Sequence, residues 1–224
     1  MEYDEALALQ LRICGAKRQG GMPDVLLLLE HPPTITLGRN GDWKNLLVPA
    51  EALRARGVRC REIDRGGDIT FHGPGQLVGY PLLGLEGGER DVHAYMRRLE
   101  ESIIRLLARY GIQGGREGAF TGVWTSRGKI AAMGVHISRW ITRHGFALNV
   151  NTDLSFYDLI VPCGIKGKGV TSISEFAGGA TSVEGVARHY ADEFSQVFER
   201  EIRWVAAAAL EPELRRYDPQ EPSS

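Results

Sequence analysis

The sequence predicts an α+β domain in which a mixed β-sheet is flanked by helices. Two observations indicate this class: segments with strand composition outnumber helical ones, and the two kinds do not alternate as a doubly wound fold requires. The length of 224 residues suits one domain with a substantial core. We expect a single domain over residues 1–210 and a tail over 211–224, whose proline and charge content favours mobility.

Four helices are predicted from apolar residues recurring at helical spacing. The clearest covers residues 91–110, where an apolar residue occurs every three or four positions and Gly111 follows as a helix end. The first helix should pack on a sheet through its broad apolar face. The predicted helices cover residues 4–18, 49–56, 91–110 and 183–200.

The predicted strands are separated by prolines and glycines. His31-Pro32-Pro33 cannot continue a hydrogen-bonded ladder, so we expect a strand on each side of it. The glycine-rich stretch 65–76 is predicted as a loop. The predicted strands cover residues 24–30, 34–37, 58–63, 122–126, 129–137 and 146–150.

Charge and hydropathy argue against several classes of function. Lys and Arg number 27 and Asp and Glu 28, so no basic excess indicates nucleic acid or anionic lipid as a partner. The apolar runs are too short to cross a bilayer, and the acidic start does not resemble a signal peptide. We therefore expect no membrane association and a cytoplasmic location.

The three cysteines differ in their surroundings. They are far apart and lack metal-ligand spacing, which favours a reducing compartment without disulfides or metal. Cys14 in the first helix and Cys60 in a strand are predicted to be inert core residues. Cys163 lies in Val161-Pro162-Cys163-Gly164, where proline and glycine leave a cysteine accessible. A nucleophilic cysteine also needs a nearby cation or helix N-terminus to become a thiolate.

Lys129 is the candidate for that cation. It enters a strand of small and apolar residues, although a solvated lysine is the commoner outcome. If Lys129 reaches Cys163, its charge favours the thiolate, and its neutral form could take a proton from an incoming amine.

The stretch Arg65-Gly66-Gly67-Asp68-Ile69-Thr70-Phe71-His72-Gly73-Pro74-Gly75-Gln76 brings glycines and polar side chains together. It could be a ligand-binding loop or a structural corner. It matches neither GxxxxGK(S/T) nor GxGxxG, the two glycine spacings typical of phosphate-binding loops. His72 within it could be an acid, a base or a hydrogen-bonding strut, of which we favour the strut.

Two further histidines and two stretches of small residues each allow more than one interpretation. His136 and His144 flank a predicted turn and are interpreted as packing or surface residues. The stretches 131–134 and 145–147 are unusually small, which leaves room either for a slim apolar ligand or for tight sheet packing.

Residues 65–76, 129–134, 144–149 and 162–164, in this order and spacing, resemble the motifs of the lipoyl(octanoyl) transferases. The resemblance extends over residues 3–198 and implies a fold similar to the catalytic domain of biotin and lipoate protein ligases. It also implies a two-step transfer, in which Cys163 carries the acyl group as a thioester and Lys129 lowers the pKa of that cysteine. We place the oxyanion at backbone N–H groups after Cys163, notably that of Gly164.

The resemblance also implies a set of substrate-binding residues. Phe71 stands where many members of the family have tyrosine, so no phenolic hydrogen bond is expected there. The implied residues are Arg65, Gly66, Gly67, Asp68, Ile69, Thr70, Phe71, His72, Ala132, Met133, Gly134, Gly145, Phe146 and Ala147.

The implied partners are proteins. Acyl-carrier protein would deliver an octanoyl or lipoyl group on its phosphopantetheine arm, and the acceptors would be lysines of lipoyl domains, as in 2-oxoacid dehydrogenase subunits and the glycine cleavage H protein. No cofactor or metal is expected. The alternatives are an ATP-dependent lipoate or biotin ligase, an amidotransferase that moves the acyl group between lipoyl domains, and a non-catalytic acyl-carrier-binding module. The binding module would need neither Cys163 nor Lys129.

Overall fold

The computed structural model of the protein describes residues 1–118, 120–161 and 169–217. The strands are β1 Val25–Leu29, β2 Thr34–Leu37, β3 Arg59–Glu62, β4 Ile69–His72, β5 Gln76–Leu82, β6 Gly115–Glu117, β7 Phe120–Thr125, β8 Gly128–Ser138 and β9 Ile141–Asn149. The α-helices are α1 Tyr3–Arg18, α2 Ala50–Ala55, α3 Val92–Arg109, α4 Ile173–Ala177, α5 Val183–Phe198 and α6 Glu211–Leu214. Short 3₁₀ helices cover Trp43–Asn45, Gly87–Glu89, Leu154–Leu159 and Ala207–Leu210.

The strands form two sheets. The larger is antiparallel throughout, in the order β1-β5-β9-β8-β7-β6, and the smaller has the order β3-β2-β4. In the smaller sheet β2 runs parallel to β3 and antiparallel to β4. The predicted α+β class with a mixed sheet and flanking helices is confirmed, and the mixed pairing belongs to the small sheet.

One face of the large sheet is covered by α3 and α5. Leu99, Ile103 and Leu106 of α3 are fully buried there with Phe194 of α5. The carboxylate of Asp91 caps the N-terminus of α3 by accepting from His93 N and Ala94 N. This helix is therefore fixed by a cap and an apolar stripe, both of which the sequence displays.

The opposite face is shared by α1 and the small sheet. Ala6 and Ile13 of α1 pack on Val78 and Leu82 of β5. Asp4 of α1 accepts hydrogen bonds from the guanidinium of Arg61 on β3 at 2.8–3.0 Å. The small sheet is thus tied to α1 on the side of the large sheet away from α3.

The stretch predicted as a loop over 65–76 contains a strand, β4, and leads directly into another, β5. The turn Gly73-Pro74-Gly75 joins them, with Gly75 at a φ of +80°. Every residue of both strands is buried, so neither shows the alternation that marks a strand in sequence. The loop prediction is wrong for residues 69–72 for this reason.

Part of the C-terminal segment packs on the protein. Leu214 of α6 is 1% exposed in the apolar cluster that α1 forms, and Glu211 is bonded to Arg12 of α1 at 2.9 Å. Residues 218–224 lie outside the described part of the chain. Among the described residues, no helix combines the length and apolarity needed to cross a membrane.

Candidate active site

A cavity lies between β4 with its preceding segment and the β8–β9 hairpin. Its walls come from five separate parts of the chain, because α1 and β5 also contribute. It is lined by Tyr3, Arg65, Gly67, Asp68, Ile69, Thr70, His72, Tyr80, Ala132, Met133, Gly134, His144, Gly145, Phe146 and Ala147.

The structure brings most of the predicted substrate-binding residues to this cavity. The exceptions are Gly66 and Phe71. Gly66 donates its N–H to Val135 O at 2.9 Å and so holds the chain where it crosses β8. Phe71 is buried in the small-sheet cluster, where its ring stacks on that of Phe156 with centroids 4.6 Å apart. The ring at position 71 therefore lies outside the cavity.

The small residues serve both purposes that the sequence left open. A Cβ at Gly134 would lie 2.6 Å from Gly66 O, and one at Gly145 would collide with Gly79 O, so these two glycines permit close backbone packing. Ala132 and Ala147 are paired across β8 and β9 and line the cavity. Their short side chains leave room for a slim ligand.

Lys129 lies at the start of β8 and is only 7% exposed. Its Nζ lies 5.2 Å from the ring centroid of Trp124, a distance at which the ring stabilises a cation. Gly122 provides the space, because a Cβ there would lie 2.6 Å from Lys129 Cε. The lysine is thus buried against the sheet and is not solvated, which is the less common outcome for this residue type.

The backbone of Lys129 also anchors the chain next to the predicted nucleophile. Cys163 and Gly164 lie within residues 162–168, outside the described part of the chain. Gly169 follows these residues in the sequence, and its carbonyl accepts from Lys129 N at 2.9 Å, while Thr171 N donates to Lys129 O at 3.0 Å. On the other side, Val161 N donates to Asn45 O at 2.7 Å.

His72 has a partner for each ring nitrogen. Gln76 Oε1 lies 3.0 Å from Nδ1, and Thr36 Oγ1 lies 3.2 Å from Nε2. Because the Gln76 amide donates to Phe71 O and Asn149 Oδ1, its oxygen is the acceptor, which assigns the proton to Nδ1. Burial holds the pKa of His72 well below its ordinary value. This geometry favours the strut interpretation over proton transfer.

The side chain of Arg65 connects β2, the central strand of the small sheet, with the segment around Gly66. Its Nη2 donates to Thr36 O and Thr36 Oγ1, each at 2.9 Å, and its Nη1 donates to Gly66 O at 3.0 Å. The guanidinium is buried beside the cavity. It therefore fixes the segment that crosses over β8, which forms one wall of the cavity.

Sequence reasoning missed a second cluster, centred on Asp64. Its Oδ1 accepts from His144 Nε2 at 2.9 Å, and its Oδ2 lies 3.3 Å from His136 Nδ1 and against the Arg143 guanidinium. Burial lowers the pKa of His144 to about 4 against the opposing effect of Asp64. For Asp64, burial acts to raise the pKa, but the hydrogen bond from His144 and the charge of Arg143 hold it below its ordinary value.

His144 is buried, as a packing residue would be, but its ring also lines the cavity. In the sequence, the one local feature that points to His144 is its position directly before the small-residue stretch 145–147. Tyr3 and Tyr80 reach the cavity from α1 and β5, and nothing in their local sequence indicates this. Burial raises the pKa of Tyr3 to about 12, so both the tyrosine and His144 are uncharged near neutral pH.

The other two cysteines lie away from the cavity, in accordance with the inert role predicted for them. Cys14 is buried with its Sγ 3.7 Å from Thr142 O, and Cys60 is half-buried in β3. Burial raises the pKa of both thiols. Neither is therefore an activated nucleophile.

Fold and site together define a class of protein: an α+β domain with a largely apolar cavity against one face of an antiparallel sheet and a buried lysine on one of the strands that line it. The family model of the lipoyl protein ligase A/B catalytic domain matches residues 2–195. The chain belongs to this family.

Curated relatives agree with the family. The octanoyltransferase of Solibacter usitatus is 50% identical over 202 residues, which cover 90% of this chain and 91% of the relative. The octanoyltransferase of Rubrobacter xylanophilus is 51% identical over 197 residues, covering 87% and 88%.

Solved structures share the fold at low sequence identity. A bi-partite lipoate protein ligase from Thermoplasma acidophilum matches with a TM-score of 0.74 at 16% identity, covering 98% of this chain and 92% of that one. A lipoate-protein ligase A bound with ATP matches with a TM-score of 0.77 at 16% identity, covering 97% and 91%. These structures support the predicted similarity to the ligase catalytic domain.

Proposed function

We propose that this protein is an octanoyltransferase of lipoate biosynthesis that carries the acyl group on Cys163. The octanoyl group arrives as a thioester on acyl-carrier protein and leaves as an amide on a lipoyl-domain lysine. One observation carries this proposal: Lys129 is buried on β8, three residues before Ala132 of the cavity, and pairs through its backbone with Gly169 and Thr171, which follow Cys163 by six and eight residues in the sequence. The octanoyltransferases among the relatives support the same reaction.

The first step exchanges one thioester for another. The Cys163 thiolate attacks the acyl carbonyl, the carbon–sulfur bond to phosphopantetheine breaks, and the carrier thiolate leaves and takes up a proton. Because one thioester replaces another, the step is nearly isoenergetic and needs no ATP. A free thiol has a pKa of about 8.5, so a nearby cation is needed to populate the thiolate at neutral pH.

The second step forms an amide. The acceptor lysine, with an ordinary pKa of about 10.4, must lose a proton before it attacks the thioester. Its nitrogen then bonds to the acyl carbon, and the bond from that carbon to Cys163 Sγ breaks. We assign Lys129 to both steps: its ammonium stabilises the thiolate, and its neutral form accepts the proton of the incoming amine.

The cavity provides the binding energy for the acyl chain. Ala132, Ala147, Met133 and Phe146 offer apolar surface, and burial of each methylene contributes about 0.8 kcal/mol. The surrounding polar groups, such as those of Arg65 and His72, already bond within the protein. They therefore shape the cavity without requiring a polar ligand.

The donor is assigned to acyl-carrier protein and the acceptors to lipoyl domains, including those of 2-oxoacid dehydrogenase subunits and the glycine cleavage H protein. The chemistry requires no cofactor or metal. We place the protein in the cytoplasm, where a cysteine nucleophile stays reduced.

Intact-protein mass spectrometry tests the proposal. Mixing the protein with octanoyl acyl-carrier protein, without ATP, should add one octanoyl group that hydroxylamine removes. Cys163→Ala should abolish the adduct and lower transfer by at least about 1,000-fold. Cys60→Ala is the matched control, because Cys60 is half-buried in β3 and does not line the cavity, and it should retain the adduct.

The same assay separates the alternatives. An ATP-dependent ligase would require ATP and tolerate Cys163→Ala, which would contradict the thioester step. An amidotransferase would accept octanoylated lipoyl domain and reject octanoyl carrier protein. A binding module would hold the carrier protein without forming any adduct.

A further inference from the structure

The register of β8 and β9 defines two ends of the cavity. Ala132 pairs with Ala147, and three residues farther along the hairpin Val135 pairs with His144. At about 3.3 Å per residue, the second pair lies roughly 10 Å from the first. Lys129 lies three residues from Ala132 in the other direction. His144 therefore lines the end of the cavity remote from Lys129.

This distance matches an acyl chain of medium length. With C–C bonds of about 1.5 Å, an extended eight-carbon chain spans roughly 9 Å. A chain whose thioester carbon lies beside Ala132 and Ala147 reaches His144 with its last carbons. A chain two carbons longer would meet the imidazole ring.

The His144 ring is held in place from two sides. Its Nε2 bonds to Asp64 Oδ1 at 2.9 Å, and its backbone N–H donates to Gln10 Oε1 at 2.9 Å. The backbone has a φ of +59°, and the ring meets the edge of the Tyr80 ring with centroids 6.3 Å apart. The ring cannot move aside without losing these contacts.

The chemistry of the ring is fixed by Asp64. The Asp64 carboxylate only accepts hydrogen bonds, so the proton of the neutral imidazole lies on Nε2 and Nδ1 is an acceptor. Nδ1 is buried and has no hydrogen-bond partner among the described residues. The bond to Asp64 therefore sets the tautomer and holds the ring as an uncharged end wall.

We propose that His144 is the specificity-determining residue that limits the transferred acyl chain to about eight carbons. This inference rests on the proposed function only for the identity of the transferred group. Asp64 is its positioning residue, since it fixes both the orientation and the tautomer of the ring.

The test compares octanoyl and decanoyl carrier protein as donors. His144→Asn shortens the end wall, and asparagine tolerates the positive φ. We expect the decanoyl-to-octanoyl ratio of kcat/KM to rise about tenfold. This is the lower end of the discrimination that a hydrophobic pocket shows against an added methylene. Asp64→Ala keeps the histidine but releases it, so the ratio should rise by a smaller factor. His189→Asn on α5 is the matched control and should leave the ratio unchanged.

A second measurement does not depend on acyl transfer. Calorimetry gives the affinities of free octanoic and decanoic acid for the same variants, each combined with Cys163→Ala. If transfer fails with every donor but His144→Asn still shifts binding toward decanoic acid, the proposed function is wrong and the inference stands. If folded His144→Asn and Asp64→Ala both keep the native preference within twofold, His144 does not set the chain length.

Discussion

The two ends of the cavity are built in opposite ways. Beyond the Ala132 end, three residues earlier on β8, Lys129 lies against Trp124 and bonds through its main chain to Gly169 and Thr171. At the other end His144 is neutral and fixed by the Asp64 carboxylate. In the proposed mechanism, the Lys129 end would supply charge for the chemistry, whereas the His144 end would supply a rigid, uncharged boundary.

The largest effect should come from the Lys129 end. Lys129→Met removes the cation and the proton acceptor but keeps the length of the side chain. We expect kcat to fall about 100- to 10,000-fold, the range for loss of a general acid–base group. Octanoic acid binding, measured by calorimetry, should change less than threefold, because the cavity remains intact.

Gly122→Ala sharpens this prediction without removing the lysine. Its Cβ would lie 2.6 Å from Lys129 Cε, so the side chain must move. Gly118→Ala is the control, since Gly118 also has a positive φ but no atom near its added Cβ. Equal activity in the two glycine variants would contradict a required position for the Lys129 side chain.

A smaller effect is expected for His72, between the two ends. His72→Ala leaves Gln76 Oε1 and Thr36 Oγ1 without this partner, at a cost of about 1–3 kcal/mol in unfolding free energy. If His72 is a strut, the His72→Ala variant should show a several-fold higher KM for the donor, whereas its kcat should stay within about threefold of the native value. A fall in kcat at constant KM, with a shifted pH profile, would instead make His72 a proton carrier.

The neutral histidines should also make the stability of the protein depend on pH. In the folded protein burial lowers the pKa of His144 and of His31 to about 4, from 6.5. Between pH 6.5 and about 4 the unfolded chain binds these protons and the folded protein does not, so unfolding free energy falls on acidification. Each histidine accounts for up to about 3 kcal/mol at the lower pH.

Urea unfolding at pH 7, 5 and 4 measures this slope. It should be shallower in His144→Asn than in the native protein and unchanged in His189→Asn. Asp64 does not offset the loss in this window, because its pKa is lowered from 3.8 and its contribution is lost only at still lower pH. An identical slope in all three proteins would mean that His144 is charged in the folded state.

The sequence predicted the elements whose signals are local. The apolar stripe of α3 and the His31-Pro32-Pro33 break each determine structure within a few residues, and both predictions are confirmed. β9 begins at Ile141, earlier than predicted, because the hairpin turn is made by Arg139 and Trp140 at positive φ. Such turns usually contain Asn-Gly, and these two residues give no such signal.

The cavity was only partly predictable. The resemblance supplied the stretches 65–72, 132–134 and 145–147, and most of their residues line it. The pairing of Asp64 with His144 joins residues far apart in sequence, and it depends on the register of β8 with β9 and on the crossing of Gly66 over Val135. No local pattern records such a contact.

The routes between the two sheets have a consequence for how a ligand enters and leaves. Residues 30–33 join β1 to β2, and Gly73-Pro74-Gly75 joins β4 to β5. Two very short connections therefore link the large sheet to the small sheet. Both connections lie at the same end of the two sheets, because Leu29 pairs with Val78 and Thr34 pairs with His72. We expect the spacing of the sheets at this end to stay fixed when an acyl chain enters or leaves, so that any adjustment occurs elsewhere in the walls.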